Sequence, residues 1–256
     1  FGKVVPTNAN MADQDTAGPH YPTATNVDAK SDQLSLEDLE KQGKGLFALG
    51  LYDYAASAYK AAVQKSGSNP EVLATYGNIL SGLSRWEEAK NVYNQSLALK
   101  QDKDVLNSYG GVLIQLKKYD AALEAFNRSI SLEGANPGAM VGSARSYTGL
   151  KLTNESADAY KRSLDLDASQ PSVWKEYGDA LAVINKSSEA ITAYEKAISL
   201  GVSGADLYIK YGEALRKSGK NGEAEAAMAK GRSMQGALYS SISDSVPRCT
   251  AGGAMG

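Results

Sequence analysis

Residues 71–89 read EVLATYGNILSGLSRWEEA, and residues 104–122 read DVLNSYGGVLIQLKKYDAA. Each stretch runs Leu, Tyr-Gly, Leu, a short polar break, an aromatic and an Ala, and the second begins 33 residues after the first. Working outward from the residue after the Tyr, a small side chain recurs at Gly43, Gly77, Gly110, Ala144, Gly178 and Gly212, in steps of 34, 33, 34, 34 and 34 residues. Twelve residues after each comes a second small residue: Ala55, Ala89, Ala122, Ser156, Ala190 and Ala224. Four further on stands a large side chain: Tyr59, Tyr93, Phe126, Tyr160, Tyr194 and Met228. Three beyond that a small one returns: Ala62, Ser96, Ser129, Ser163, Ala197 and Gly231. A period in this range marks an array of supersecondary units, each unable to bury its apolar face alone.

The unit is two helices. Leu73, Tyr76 and Leu80, or Leu106, Tyr109 and Leu113, share one helical face, and Ala122, Leu123, Phe126 and Ile130 share another. The breaks between them, such as SGLSR and QLKK, are short enough to make the two helices antiparallel neighbours. Gly within a helix costs about 0.5–1 kcal/mol relative to Ala, so its recurrence implies a close approach of the two backbones at the Gly and the following Ala. The Tyr or Phe is then expected to fill the space toward the next hairpin. Pro70, Pro137 and Pro171 precede first helices, where a missing N–H is tolerated. Ser35 with Asp38 has the form of a capping box opening the first helix.

At these residues the chain resembles the tetratricopeptide repeat (TPR) family. The resemblance implies an all-α fold, a right-handed α-solenoid of six helix-turn-helix repeats with an extended N-terminal arm. Residues 1–34 form that arm, rich in Pro, Asn, Asp and Thr; residues 35–235 form the six repeats; residues 236–256 form a short helix and a frayed tail. The fourth copy has Ser143-Ala144 in place of Tyr-Gly and Ser156 in place of Ala, and is expected to pack less tightly.

Proteins of this family present a concave surface built mainly from their first helices. The rows at i, i+4 and i+7 place Lys44, Asn78, Asn107, Ile114, Arg145, Lys175 and Asp179 on that surface as partner-binding residues, with Asn toward the middle and charges toward both ends. The TPR subclass that clamps a chaperone's C-terminal carboxylate uses Lys, Asn and Arg there. This chain has Glu40, Lys44, Thr75, Asp104 and Ser108, which argues against that role.

No catalytic residue or metal site is expected, and no cofactor. His20, the single histidine, has no neighbouring ligand, and Cys249, the single cysteine, sits among small residues near the C-terminus. The glycines lie at repeat spacing and form no phosphate loop. Asn94, Asn127, Asn154 and Asn185 each open an N-x-S triplet, the first two inside second helices, where burial outweighs glycosylation. With 27 basic and 29 acidic residues interspersed, nothing calls for a nucleic-acid partner.

The expected function is a non-enzymatic scaffold for protein or peptide partners. The polar arm ahead of the repeats resembles envelope TPR lipoproteins of bacterial pilus and secretion assemblies. It implies the periplasmic face of the outer membrane, with any membrane association through a lipid anchor outside the chain. The alternatives are a cytoplasmic peptide-binding adaptor, or a homo-oligomer in which the arm of one copy lies in the groove of the next.

Overall fold

A computed structural model describes residues 33–245, apart from the side chains of residues 133 and 237–245. Residues 1–32, His20 and Cys249 lie outside the described part. Twelve helices and no strand are found among the described residues: α1 Leu36–Ala48, α2 Tyr52–Ser66, α3 Pro70–Gly82, α4 Trp86–Leu99, α5 Lys103–Gln115, α6 Tyr119–Glu133, α7 Pro137–Gly149, α8 Thr153–Leu166, α9 Pro171–Val183, α10 Ser187–Ser199, α11 Ala205–Lys217 and α12 Asn221–Ser245.

Two compact units divide the chain, Phe1–Ser66 and Gly67–Gly256. In the first, α1 and α2 pair as one hairpin. Ser35 and Asp38 form the expected capping box, the Asp38 N–H donating to Ser35 Oγ at 3.1 Å and the Ser35 N–H to Asp38 Oδ2 at 3.3 Å. In the second, five hairpins (α3–α4 to α11–α12) stack in chain order as an α-solenoid, each second helix packing on the next first helix.

Three local devices repeat, and each explains one of the sequence positions. The recurrent Gly faces the ring of its own copy. A Cβ on Gly77 would stand 2.6 Å from Tyr93 Cε1, and one on Gly110 2.6 Å from Phe126 Cζ, far inside van der Waals contact. Phe126 is pinned from both sides, since a Cβ on Gly142 of the next copy would meet the same ring at 2.3 Å. The expected backbone approach to the following small residue is also present: a Cβ on Gly212 would lie 3.0 Å from the Ala224 carbonyl oxygen. The ring is the tighter constraint, because it is rigid and its neighbours cannot recede from it.

The last small position abuts the start of its own first helix. Ser96, Ser129 and Ser163 are fully buried and donate to the carbonyls of Pro70, Lys103 and Pro137 at 2.8, 3.2 and 3.1 Å. A larger residue would displace the helix N-terminus. The same burial makes Ser96 and Ser129 packing residues, whatever the triplets around them suggest.

Each hairpin turn is closed by a backbone bond across five residues, 2.8–3.0 Å long, as from Arg85 N–H to the Leu80 carbonyl. The residue before the donor is left-handed in every copy: Gly50, Ser84, Lys117, Lys151, Asn185 and Gly219.

Two expectations change. The fourth copy is closed by hydroxyls: Ser156 Oγ, fully buried, donates to the Ala144 carbonyl at 3.0 Å and lies 2.7 Å from Thr148 Oγ1. Only the Ser143 hydroxyl lacks a partner there. And no separate helix begins after residue 235, because α12 runs unbroken from Asn221 to Ser245.

Candidate functional site: an inner groove across three repeats

The first helices of copies three to five, α5, α7 and α9, line a groove of about 750 Å³. Its apolar wall is Ile114, Ala180 and Val183, and Val183 is 67% exposed. Tyr119 and Thr153, which open α6 and α8, and the turn residue Lys151 complete the side facing the hairpin turns. Tyr119 is placed by Gly149, on which a Cβ would come within 2.4 Å of the ring. A smaller hollow of about 310 Å³ follows on between copies five and six, sharing Asp179 and Val183 and adding Lys210 and Glu213.

Across the groove, Arg145 on α7 forms a bidentate pair with Glu176 on α9, its Nε donating to Oε2 at 2.8 Å and its Nη2 to Oε1 at 2.7 Å. Tyr160 donates its hydroxyl to Glu176 Oε2 at 2.8 Å. Burial alone would push the Glu176 carboxyl up, but the hydrogen bonds and charge of Arg145 outweigh it and hold the group below the usual glutamate range. Burial first, and then the Glu176 charge, raise the Tyr160 phenol well above an ordinary tyrosine.

One copy further on, four charges form a closed ring. Lys175 and Lys210 each bond both Asp179 and Asp206, at 2.9–3.2 Å. Tyr194 donates to Asp179 Oδ1 at 2.9 Å, and burial followed by the Asp179 charge raises its phenol strongly. Burial opposes ionisation of Asp206, yet the two lysines hold its carboxyl below the usual range.

Of the residues read from the sequence, the structure gathers Ile114, Arg145 and Asp179 on this groove. Lys175 lies on the same helix as Asp179 and is bound to it. Asn78, on α3, accepts the Tyr93 hydroxyl at 2.6 Å, and Asn107, on α5, has a buried Oδ1 without a partner. Neither Asn lines the groove. Lys44 belongs to the first unit, exposed and 3.8 Å from Glu40.

The residues missed are Glu176, Tyr160, Tyr119, Lys210 and Asp206. A signal for the charged ones was available. Arg145 and Glu176, Lys175 and Asp206, and Asp179 and Lys210 are opposite charges 31 residues apart. One repeat less about one helical turn brings a residue level with the neighbouring first helix.

The arrangement offers surfaces and hydrogen bonds. The groove's carboxylates are bound by cations and phenols, and among the described residues no cluster of three or more His, Cys, Asp or Glu is placed to hold a metal. No described helix is long and apolar enough to cross a membrane.

The sequence model described as "Tetratricopeptide repeat" matches residues 75–140 and 176–237, half of the chain. Among solved structures, PilF of Pseudomonas aeruginosa superposes with a TM-score of 0.66 at 20% identity, over 86% of this chain and 99% of that one. PilW, a widely conserved type IV pilus biogenesis factor, gives 0.67 at 17% identity, over 76% and 90%. YrrB, a TPR protein with an unusual peptide-binding site, gives 0.61 at 17% identity, over 73% and 99%. No curated protein matches the sequence. At these identities the structural likeness is one of fold.

Proposed function

The chain belongs to the tetratricopeptide repeat family, whose members act as protein-interaction scaffolds, and we propose that it holds a partner segment in the α5–α7–α9 groove during assembly of a bacterial envelope machine of the pilus or secretion type. The observation that carries the partner site is the groove itself, with exposed Val183 and half-buried Ile114 on a wall flanked by polar groups. Its volume is in the range of about 300–1,000 Å³ typical of binding clefts, enough for a few side chains of an extended segment. The envelope setting, at the periplasmic face of the outer membrane, is supported by the fold shared with PilF and PilW and by the polar arm preceding the repeats.

A photo-crosslinking residue at Ile114 or Val183, expressed in the native host, tests the site. Adducts with a partner are expected there and not from Asn94, which borders a hollow between the second helices α4 and α6. Adducts confined to Asn94 would reject the groove. Fractionating the same cells tests the location: recovery with the cytoplasm would favour the adaptor reading over the envelope one.

A further inference from the structure

If the groove receives a partner segment, as proposed above, its hydrogen-bonding inventory restricts what that segment can be. Both carboxylates on its wall are already engaged. Glu176 takes two bonds from Arg145 and one from Tyr160, which occupies both of its oxygens. Asp179 takes Tyr194 on Oδ1 and Lys175 and Lys210 on Oδ2. A cationic side chain entering the groove would therefore have to displace one already in place, losing a bond for each it made.

Donors are in surplus. A guanidinium carries five N–H groups, and Glu176 takes two of those on Arg145. Lys151 stands on the same wall, at the left-handed residue of the α7–α8 turn, with no ion pair among the described residues. Its backbone is held by the turn: its N–H bonds the Thr148 carbonyl at 3.0 Å, and the next N–H bonds that of Tyr147 at 2.9 Å. The ammonium is thus carried on a fixed part of the scaffold at the groove edge. The opposite wall supplies apolar surface from Ile114, Ala180 and Val183.

We infer that the groove selects an acidic segment with aliphatic neighbours, its Asp or Glu side chains meeting the unused donors of Arg145 and Lys151 and its Leu, Ile or Val side chains lying on Ile114, Ala180 and Val183. Charge sets the sign of the preference, and the apolar wall sets the spacing between carboxylate and aliphatic residue.

Panning a random dodecapeptide phage library against the full chain tests this, with Val183→Asp as the groove-blocked control. Peptides that bind the natural chain and not the control are expected to be enriched in Asp and Glu beside Leu, Ile or Val. For a synthetic copy of one, replacing its acids by Gln should weaken binding about tenfold, and Lys151→Glu should do the same with an unchanged melting temperature. Its dissociation constant should rise with salt. Groove-dependent peptides that are basic or without charge bias would overturn the acidic preference and leave the groove as a partner seat. If no selected peptide depends on Val183, both fall.

Discussion

The α3–α4 and α9–α10 hairpins set the same ring on the same glycine and give its hydroxyl to chemically different acceptors. Tyr93 lies over Gly77 and Tyr194 over Gly178, where an added Cβ would come within 2.6 and 2.7 Å of the ring. Tyr93 donates to the neutral Asn78 at 2.6 Å, and Tyr194 to the charged Asp179 at 2.9 Å. Asp179 is in turn held by Lys175 and Lys210. Packing demands a ring and an acceptor. It is indifferent to the acceptor's charge, so the charge of the inner face can differ between copies without disturbing the stack.

The remaining copies follow the same logic. Where the residue after the glycine is Gly111, the ring is Phe126, which has no hydroxyl to satisfy. Where it is Arg145, which cannot accept, Tyr160 reaches across to Glu176 of the next copy. Where it is Lys44, the buried Tyr59 hydroxyl has no partner.

The largest expected effect removes the rings. Tyr93→Ala and Tyr194→Ala should each cost about 3–5 kcal/mol in urea unfolding, since both rings are almost fully buried. A small loss at only one of them would mean the two hairpins are not equivalent in packing. Removing only the hydroxyls should separate them. Tyr194→Phe leaves Asp179 short of a donor and should cost about 1.5–3 kcal/mol, against about 0.5–1.5 kcal/mol for Tyr93→Phe. Equal costs would show that the charge on Asp179 is fully compensated by its lysines.

Gly77 and Gly111 sharpen the comparison within one half of the stack. Gly77→Ala should destabilise by about 1–3 kcal/mol through overpacking on Tyr93. Gly111→Ala, with nothing within 4 Å of the added carbon, should stabilise by about 0.5–1 kcal/mol. The same sign at both, by thermal or urea unfolding, would remove the ring as the reason for the repeated glycine.

The smallest effect is one of pH. The folded Glu176 carboxyl lies below the ordinary glutamate range, so its contribution is present above that range and is lost as pH falls through the lowered value. Hydrogen exchange in α7 and α9 should accelerate on acidification below about pH 4, while α3 next to Asn78 should respond less. Glu176→Gln should flatten the response. An identical response in the natural chain and the variant would leave the Arg145 pair without a part in acid stability.

Much of this fold is legible from spacing. The Gly–Ala–Tyr series locates every hairpin, because each position answers to a contact inside its own copy, at a fixed distance along the chain. Ser35 and Asp38, or Pro70, mark helix starts for the same reason. What spacing does not carry is contact between copies. Lys175 and Asp179 read as charges open to a partner, yet they bind each other and also Lys210 and Asp206. Glu176 went unread because its meaning lies in Arg145, 31 residues earlier. The fourth copy suggested looseness by its missing Tyr-Gly and Ala, and its hydroxyls close the gap with bonds that residue size does not reveal.

By itself, then, the sequence determined the hairpins, their number and which side chains pack inside them, since helical periodicity and steric room are properties of a few dozen consecutive residues. The tertiary structure decided which first helices border a groove, which charges neutralise one another and which donors are left for a partner. Those depend on the stacking of one copy against the next, which brings together residues that no local pattern relates.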